Sequence, residues 1–179
     1  LGLAAGAATT SGMGEFYGRN MPAPPARFGE ADFVPLAQLY ARHAVVESSD
    51  GHRFETRTWS EIDVVQWTAR QPDARAVYRV AESRLSERVG ARTIGEMISA
   101  AERAGARVRR ASGHVEVPVV AGITTTLGGL AADASARVAP GVWAAGCDVG
   151  GISTGGYSSG LAAALVLGRV AAASALESG

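Results

Sequence analysis

The sequence predicts a mixed α/β fold, and three features support this prediction. Two segments in the middle of the chain carry the capping residues and apolar spacing of amphipathic helices. Short apolar, β-prone runs lie around them, one followed by the turn signal SSDG. Near the C-terminal end, an apolar run leads through a glycine-rich stretch into an alanine-rich helix. Strands and helices therefore occur together along the chain.

The composition limits the classes of function. The 179 residues suffice for one domain or two small ones, and 17 basic residues balance 17 acidic ones, which argues against nucleic-acid binding. The single cysteine, Cys147, cannot form an internal disulfide, so nothing indicates an oxidising compartment, and we expect a cytoplasmic protein. The longest apolar run, residues 161–167, is shorter than the roughly 20 residues that a bilayer requires, so no membrane span is predicted. The three histidines lack metal-ligand spacing, and no metal site is predicted.

The N-terminal segment predicts the end of a helix. Residues 1–10 are small and apolar, and Gly12 and Gly14 break the pattern. No basic region precedes the apolar residues, so the segment does not resemble a signal peptide, and the chain is expected to be a fragment. The proline-rich residues 21–25 predict an irregular connection, because proline removes a donor and fixes φ.

The strands are predicted from β-prone runs and turn residues. Residues 41–47 form one candidate strand, residues 48–51 a hairpin turn with an Asp-Gly pair, and residues 52–55 the returning strand. Residues 76–80 are apolar and β-prone, and residues 114–120 alternate between apolar and other residues.

Two helices are predicted from their capping residues. Ser60 can cap a helix over residues 60–70. Thr93 and Glu96 form the capping-box pattern at the start of a helix over residues 93–105. The apolar residues of the second helix share one face: Ile94, Met97, Ile98 and Ala101.

The C-terminal third predicts a ligand site. A turn over residues 122–129 precedes a buried strand over residues 141–145, and glycines and serines at 155–160 lead into a helix over residues 159–175. A helix start supplies partial positive charge and free N–H groups. The ligand at this start is either a phosphate or the isoalloxazine ring of a flavin. A dinucleotide pyrophosphate would require a GxGxxG turn, which the chain lacks.

Several of these motifs resemble one known family. The series TLGG at 126–129, PGVWAAG at 140–146, a Gly-Gly pair and GLxxAxxxGRxA at 160–171 is similar to the C-terminal end of FAD-dependent oxidoreductases of the fumarate reductase/succinate dehydrogenase flavoprotein type (FAD-binding domain 2). That group includes tricarballylate-dehydrogenase-like and 3-ketosteroid-dehydrogenase-like enzymes. Weaker matches are FYGRNMP at 16–22 and DGHRFE at 50–55.

The resemblance implies an architecture. Residues 1–18 and 119–179 would be segments of a Rossmann-like FAD-binding domain, interrupted by an α+β substrate-capping domain at residues 19–118. The N-terminal part that holds the pyrophosphate would lie outside this chain, as a missing part of the same protein. The glycines present would then suit the flavin end of FAD.

The resemblance also implies cofactor contacts. In the family, a Glu or Asp after the AAG sequence contacts the ribityl hydroxyls of FAD. Here Cys147 stands at that position and Asp148 follows, so either Asp148 takes the role or the contact is lost. Cys147 is expected to be small and buried, without an activated thiolate. The full set of implied cofactor-binding residues is Thr125, Gly128, Gly129, Gly146, Cys147, Asp148, Ser159 and Leu161.

The substrate contacts differ from those of fumarate reductases. Thr124 stands where those enzymes carry histidine, and Tyr157 aligns with their carboxylate-binding arginine, which makes a fumarate or succinate substrate doubtful. Tyr157 and a backbone amide near Gly160 would instead polarise a ketone oxygen, as in 3-ketosteroid dehydrogenases; the alternative for Tyr157 is a packing role. Arg57 is the candidate for a catalytic proton-shuttling arginine, or else a surface arginine.

Three hypotheses for function follow. The first is part of an FAD-dependent oxidoreductase that moves hydride between FAD and a small-molecule substrate. The second is a non-catalytic remnant or binding module that has lost FAD. The third is a different nucleotide-binding protein, which would require a phosphate loop that the sequence does not show.

Overall fold

The computed structural model describes residues 1–57, 60–152 and 158–178. The chain divides into two compact units. Unit 1 comprises Leu1–Tyr17 and Ile123–Gly179, and unit 2 is the continuous segment Gly18–Gly122. The resemblance placed the corresponding boundaries after residues 18 and 118. The structure thus contains an inserted unit, with its second boundary four residues later (122 against 118).

An antiparallel sheet organises unit 2. Its strands are β1 (Phe16–Pro22), β2 (Val45–Glu47), β3 (Arg75–Ala81), β6 (Arg109–Ala111) and β7 (His114–Thr126). Their order is β1-β7-β3-β2, and β6 also pairs with β7. The register of β3 on β7 places buried residues opposite each other. Tyr78 lies opposite Val117, and both side chains are fully buried.

Two helices complete the core of unit 2. They are α2 (Glu61–Ala69) and α3 (Ile94–Arg103), which follow the four-residue helix α1 (Phe33–Leu36). Residues of both helices join the inward-facing residues of β2, β3 and β7 in one buried cluster. The apolar face predicted for α3 is confirmed, since all four of its residues are at most 1% exposed: Ile94, Met97, Ile98 and Ala101.

The predicted helix starts are confirmed by their caps. The Ser60 hydroxyl accepts a hydrogen bond from the Ile62 amide at 3.2 Å. At α3, the Glu96 amide donates to the Thr93 hydroxyl at 3.2 Å, and the Thr93 amide donates to the Glu96 carboxylate at 2.6 Å. These contacts satisfy amide groups that a helix start otherwise leaves without partners.

The small elements include two short hairpins. Strands β4 (Arg88–Val89) and β5 (Arg92–Thr93) form one in unit 2. Strands β8 (Arg137–Ala139) and β9 (Val142–Trp143) form the other in unit 1. The turn predicted at residues 48–51 is present: the Ser48 amide donates to the His52 carbonyl at 2.9 Å.

Unit 1 ends in the long helix α4 (Ser158–Glu177). The prediction of a final helix is confirmed. By length and composition α4 is also apolar enough to cross a membrane, a test that core helices of soluble proteins pass as well. In this structure its 18-residue apolar window, Gly160–Glu177, has no buried residue.

Several local predictions were wrong. The returning strand predicted at residues 52–55 is only an isolated bridge between Glu47 and Arg53. The first ten residues form only a 3-10 turn at Leu3–Ala5, because Gly6 adopts a left-handed φ of 89° and Thr9 pairs with Leu130. Residues 41–43 form a 3-10 turn, so β2 begins only at Val45. The turn predicted at residues 122–129 starts late, since β7 continues to Thr126.

The overall class is as predicted, a mixed α/β fold with antiparallel sheets. In the described part of the chain, the one parallel contact is the bridge between Leu130 and Val149.

Candidate functional site

Four of the predicted cofactor residues meet at one cavity in unit 1: Gly128, Gly129, Cys147 and Asp148. The cavity has a volume of about 480 Å³. Its other lining residues are Leu1, Gly2, Leu3, Thr9, Met13, Thr126 and Leu130. Sequence motifs thus pointed to the residues of one cavity wall. The N-terminal residues that form the other wall contain no such motif.

The cavity wall is built by three backbone segments that lie side by side. The Thr10 amide donates to the Gly129 carbonyl at 2.9 Å, and the Gly128 amide donates to the Gly12 carbonyl at 2.9 Å. On the other side, the Leu130 amide donates to the Asp148 carbonyl at 2.7 Å. Residues 127–130 are therefore the middle segment, held between residues 8–13 and 148–151.

The glycines of this wall are required by the packing of backbone on backbone. A Cβ atom added to Gly129 would lie 2.6 Å from the Gly150 amide nitrogen, and one added to Gly128 would lie 2.5 Å from the Met13 amide nitrogen. Real Cβ atoms do not approach so closely, so neither position admits a side chain without movement of the chain.

The amides of these glycines are already bonded within the chain. The Gly129 amide donates to the Thr10 hydroxyl at 3.2 Å, and the Gly128 amide donates to the Gly12 carbonyl. The glycine pair is consequently packed against backbone where a Cβ would stand, and it has no free N–H donor for a ligand.

Gly146 has a conformational reason to be glycine. Its φ is 66°, in the left-handed region, at the start of a 3-10 turn over Gly146–Asp148. A Cβ atom there would lie 3.6 Å from Ala164 of α4. This turn ends the predicted buried strand early, so β9 has two residues instead of five.

Cys147 and Asp148 are both exposed. The expectation that Cys147 is buried was therefore wrong. Cys147 lies in the 3-10 turn instead of the strand, and it lines the cavity. Asp148 is the one charged side chain among the lining residues, so the carboxylate can accept hydrogen bonds from hydroxyl groups.

The remaining cofactor and substrate candidates are not among the lining residues. Thr124 and Thr125 belong to β7, and the Thr125 hydroxyl donates to the Thr126 carbonyl at 3.3 Å. Gly160 and Leu161 lie in the first turn of α4, where Leu161 is 75% exposed. Ser159 lies in the same turn, and Tyr157 falls outside the described residues.

Arg57 lies in unit 2, in the irregular segment before α2. Its side chain is exposed and has no partner within residues 1–57, 60–152 and 158–178. The structure does not place Arg57 among the residues that line the cavity of unit 1.

Unit 2 contains a buried polar cluster that sequence inspection missed. The Asn20 amide donates to the Thr68 hydroxyl at 2.9 Å and to the Tyr78 hydroxyl at 2.7 Å. Among the residues that the structure describes, none donates a hydrogen bond to its oxygen Oδ1. Burial raises the pKa of Tyr78 and of the adjacent Tyr40, so both phenols stay protonated. No sequence pattern links these residues, because they come from β1, α2 and β3.

Charged side chains cross the outward face of the sheet of unit 2. Glu116 on β7 accepts hydrogen bonds from Arg109 at 2.5 Å and from Arg79 at 3.1 Å. The Arg109 guanidinium, with Arg79, lowers the pKa of Glu116 to about 2. Glu47 continues the network by pairing with Arg79 at 2.8 Å and Arg53 at 2.7 Å. We assign this network a role in stability.

The histidines each contact one carboxylate. His43 lies 2.8 Å from Glu87, His52 3.2 Å from Asp50, and His114 3.5 Å from Glu116. Within the part of the chain that the structure describes, no group of three or more His, Cys, Asp or Glu side chains could hold a metal ion.

Comparison with known proteins supports a fold assignment. The sequence matches no family profile and no curated protein. Among solved structures, the chain is similar to the open conformation of a flavocytochrome c3 fumarate reductase, with a TM-score of 0.55 and 18% sequence identity. The similarity covers 96% of this chain and 38% of that chain. The fold is therefore a mixed α/β fold that resembles a fumarate reductase flavoprotein domain, and this chain spans about 38% of that protein's length.

Proposed function

We propose that this chain is part of an FAD-dependent oxidoreductase of the fumarate reductase/succinate dehydrogenase flavoprotein type. It would act on a small-molecule substrate that carries a carboxylate or a ketone, in the cytoplasm. One observation carries the proposal: Gly128, Gly129 and Asp148, which were selected from a flavoprotein motif, meet at one cavity in a fold that resembles such a flavoprotein.

The cavity fits the flavin end of FAD better than the pyrophosphate. Its walls are largely apolar, and their large side chains are Leu1, Leu3, Met13 and Leu130. Asp148 is the only charged side chain among its lining residues, and a carboxylate repels a phosphate. A ring system and neutral hydroxyls suit such a surface, so the pyrophosphate and adenine contacts belong to polypeptide outside these residues.

In this proposal, each cofactor-binding residue has a specific role. When bound, FAD supplies the hydride-transfer chemistry, and the protein supplies orientation and electrostatics. Gly128 and Gly129 let the backbone segments of the cavity wall pack closely, and Asp148 accepts hydrogen bonds from ribityl hydroxyls. Gly146 sets the turn that presents Asp148, beside Cys147. Thr125, Ser159 and Leu161 complete the proposed cofactor-binding set.

Substrate activation is proposed for the start of α4. The Gly160 amide is among the first amides of this helix, which have no acceptor within the helix. With the Tyr157 hydroxyl it would supply two donors to a ketone oxygen that gains negative charge, as in an oxyanion hole. Thr124 would contact the substrate. Arg57 is the alternative, as a proton donor for a fumarate-reductase-like reaction.

Paired variants in a longer, FAD-loaded form of the protein test the catalytic assignment. Tyr157→Phe removes one hydroxyl, so turnover should fall by about 100-fold or more with flavin absorbance unchanged. Arg57→Ala should have a much smaller effect. The ketone-activating proposal is wrong if Tyr157→Phe retains the wild-type rate while Arg57→Ala is inactive, and the arginine mechanism then replaces it.

The 179-residue chain alone should bind FAD weakly, because the cavity has no partner for the pyrophosphate. Absorbance near the flavin bands after purification, with added FAD as the control, measures this directly. Stoichiometric flavin that remains through gel filtration would show that the chain holds the whole cofactor.

The packing of the glycines also supports the alternative, a remnant or binding module without FAD. Gly128 and Gly129 are needed for backbone contacts whether or not a cofactor binds. Sequencing upstream of Leu1 separates the two hypotheses: an in-frame GxGxxG region favours the enzyme, and a start codon at this position favours the remnant.

A further inference from the structure

The buried polar cluster of unit 2 contains a hydrogen-bond acceptor to which no described residue donates. This acceptor is Oδ1 of Asn20, a residue that is only 2% exposed. The two N–H groups of the same side chain are both used, since they donate to the hydroxyls of Thr68 and Tyr78 at 2.9 and 2.7 Å. Buried polar groups are nearly always bonded to protein or to water, because an unpaired one is costly. The oxygen therefore points to a further donor at this position.

The neighbouring Tyr78 hydroxyl has the complementary property. Its oxygen accepts the hydrogen bond from Asn20, but within residues 1–57, 60–152 and 158–178 its proton has no acceptor. The phenol keeps this proton, because burial raises the pKa of Tyr78 well above the usual value. Tyr78 is fully buried as well. A donor without an acceptor and an acceptor without a donor thus lie side by side in a core that excludes bulk solvent.

Rotation of the Asn20 amide by half a turn would not satisfy these groups. It would bring Oδ1 to the Tyr78 hydroxyl, but it would also place Oδ1 against the hydroxyl oxygen of Thr68. That hydroxyl donates its one proton to the Val64 carbonyl at 2.9 Å, so two oxygens would meet without a proton between them. Both N–H groups of Asn20 would also lose their present acceptors. The observed orientation of the amide is therefore the favoured one.

We propose that unit 2 binds one internal water molecule, which donates a hydrogen bond to Asn20 Oδ1 and accepts one from the Tyr78 hydroxyl. A water suits this pair because one small molecule is both donor and acceptor. Buried side chains surround the pair, among them Tyr40, whose ring stands edge-on to Tyr78 with the centroids 5.5 Å apart. The site gives Asn20, in the stretch FYGRNMP, a role in the core of unit 2 that is independent of FAD.

High-resolution crystal structures of the 179-residue chain and of two variants test the site. The wild type should show a peak of electron density within hydrogen-bond distance of both Asn20 Oδ1 and the Tyr78 hydroxyl. Tyr78→Phe removes one partner of the water, so the peak should disappear. Tyr40→Phe is the matched control, because it removes a hydroxyl that is equally buried but donates to Gln38 Oε1 at 2.9 Å. In this variant the peak should remain.

Nuclear magnetic resonance tests the same site in solution and requires only the wild type. The side-chain amide protons of Asn20 should show a nuclear Overhauser effect to water, with the sign of a molecule that tumbles with the protein. They should also show an effect to the Thr68 methyl group, because Nδ2 lies 2.9 Å from the Thr68 hydroxyl oxygen. The first effect reports the water, and the second reports the orientation of the amide.

Three outcomes would overturn the proposal. A wild-type structure without density beside Asn20 Oδ1, or amide protons without an effect to water, would show that the oxygen stays unpaired. Density that persists unchanged in Tyr78→Phe would show that the water does not bridge the two residues. Amide protons of Asn20 without an effect to the Thr68 methyl group would indicate the rotated amide, in which the Tyr78 hydroxyl donates directly to Oδ1 and no water is required.

Discussion

Units 1 and 2 differ in the kind of side chain that they bury. Both clusters of buried apolar side chains lie in unit 2, where Tyr40, Tyr78 and Met97 are fully buried. Unit 1 buries mostly alanines, such as Ala136 and Ala144, and leaves leucines exposed. Unit 2 is therefore built around its own core. Unit 1 is held together by backbone hydrogen bonds and close contacts at glycines, and most of its leucines remain exposed.

This difference separates two roles. A unit with a filled core can be inserted into another fold and keep its own structure. A unit that holds its glycine-rich segments together through backbone contacts, beside an open cavity and an open helix face, has the features of a binding region. The predictions below test that contrast.

The largest contrast in folding between the two units is expected when unit 2 is produced without unit 1. Because Gly18–Gly122 is one continuous segment and contains both buried clusters, it should fold alone with a cooperative thermal transition. Circular dichroism and calorimetry measure the transition. A fragment that melts without cooperativity would show that unit 2 relies on unit 1 for its core.

Truncation of apolar side chains should affect the two units very differently. Met97→Ala should lower the free energy of unfolding by about 2–5 kcal/mol, because it opens a cavity in a fully buried cluster. Leu165→Ala, at a helix position that is 68% exposed, should change it by less than about 0.5 kcal/mol. Urea denaturation of the two variants checks the contrast, and equal losses would contradict it.

Two glycine substitutions sharpen the description of unit 1. Gly129→Ala should cost about 1–3 kcal/mol, because the new methyl group would meet the Gly150 amide and the Asp148 carbonyl. Gly160→Ala has open space within 4 Å and lies in a helix, so it should stabilise the chain by about 0.5–1 kcal/mol. Thermal melts of both proteins measure the difference. A harmless Gly129→Ala would mean that the three backbone segments separate readily.

The smallest effect is expected from Glu116→Gln, through its dependence on pH. The pKa of Glu116 is lowered from 4.5 to about 2, so its contribution to stability is present above pH 4.5 and is lost as the pH falls through about 2. At neutral pH the variant should be about 1 kcal/mol less stable, with the difference gone near pH 2. Glu102→Gln, in an exposed pair with Arg110, is the control and should show a smaller difference. Denaturant titrations across this pH range test the sign.

Sequence inspection was most successful where neighbours along the chain decide the structure. The cap at Ser60, the capping box at Thr93 and the turn at residues 48–51 depend on groups two to four residues apart. The β-prone run predicted at residues 76–80 is likewise present, as β3 over Arg75–Ala81. These elements were predicted with their boundaries nearly correct.

The candidate site was predicted only in part. Gly128, Gly129 and Asp148 were singled out because they belong to motifs of the family that the sequence resembles. Thr9, Met13 and Leu130 were missed as cavity residues. Thr10 and Gly129 are 119 positions apart, so no local pattern could report that their segments pair.

By itself, the sequence determined the mixed α/β class, the start of each major helix and the inward face of α3, because capping and amphipathic spacing act over a few residues. Tertiary structure alone decided three other features. β7 continues to Thr126 with β1 as its neighbour in the sheet, since β3 pairs with it only as far as Val120. Cys147 is exposed because Gly146, with a left-handed φ of 66°, starts a turn next to Ala164 of α4. The glycine pair serves to bring distant backbone segments into contact, since only the folded chain places residues 12–13, 128–129 and 150 within contact distance of one another.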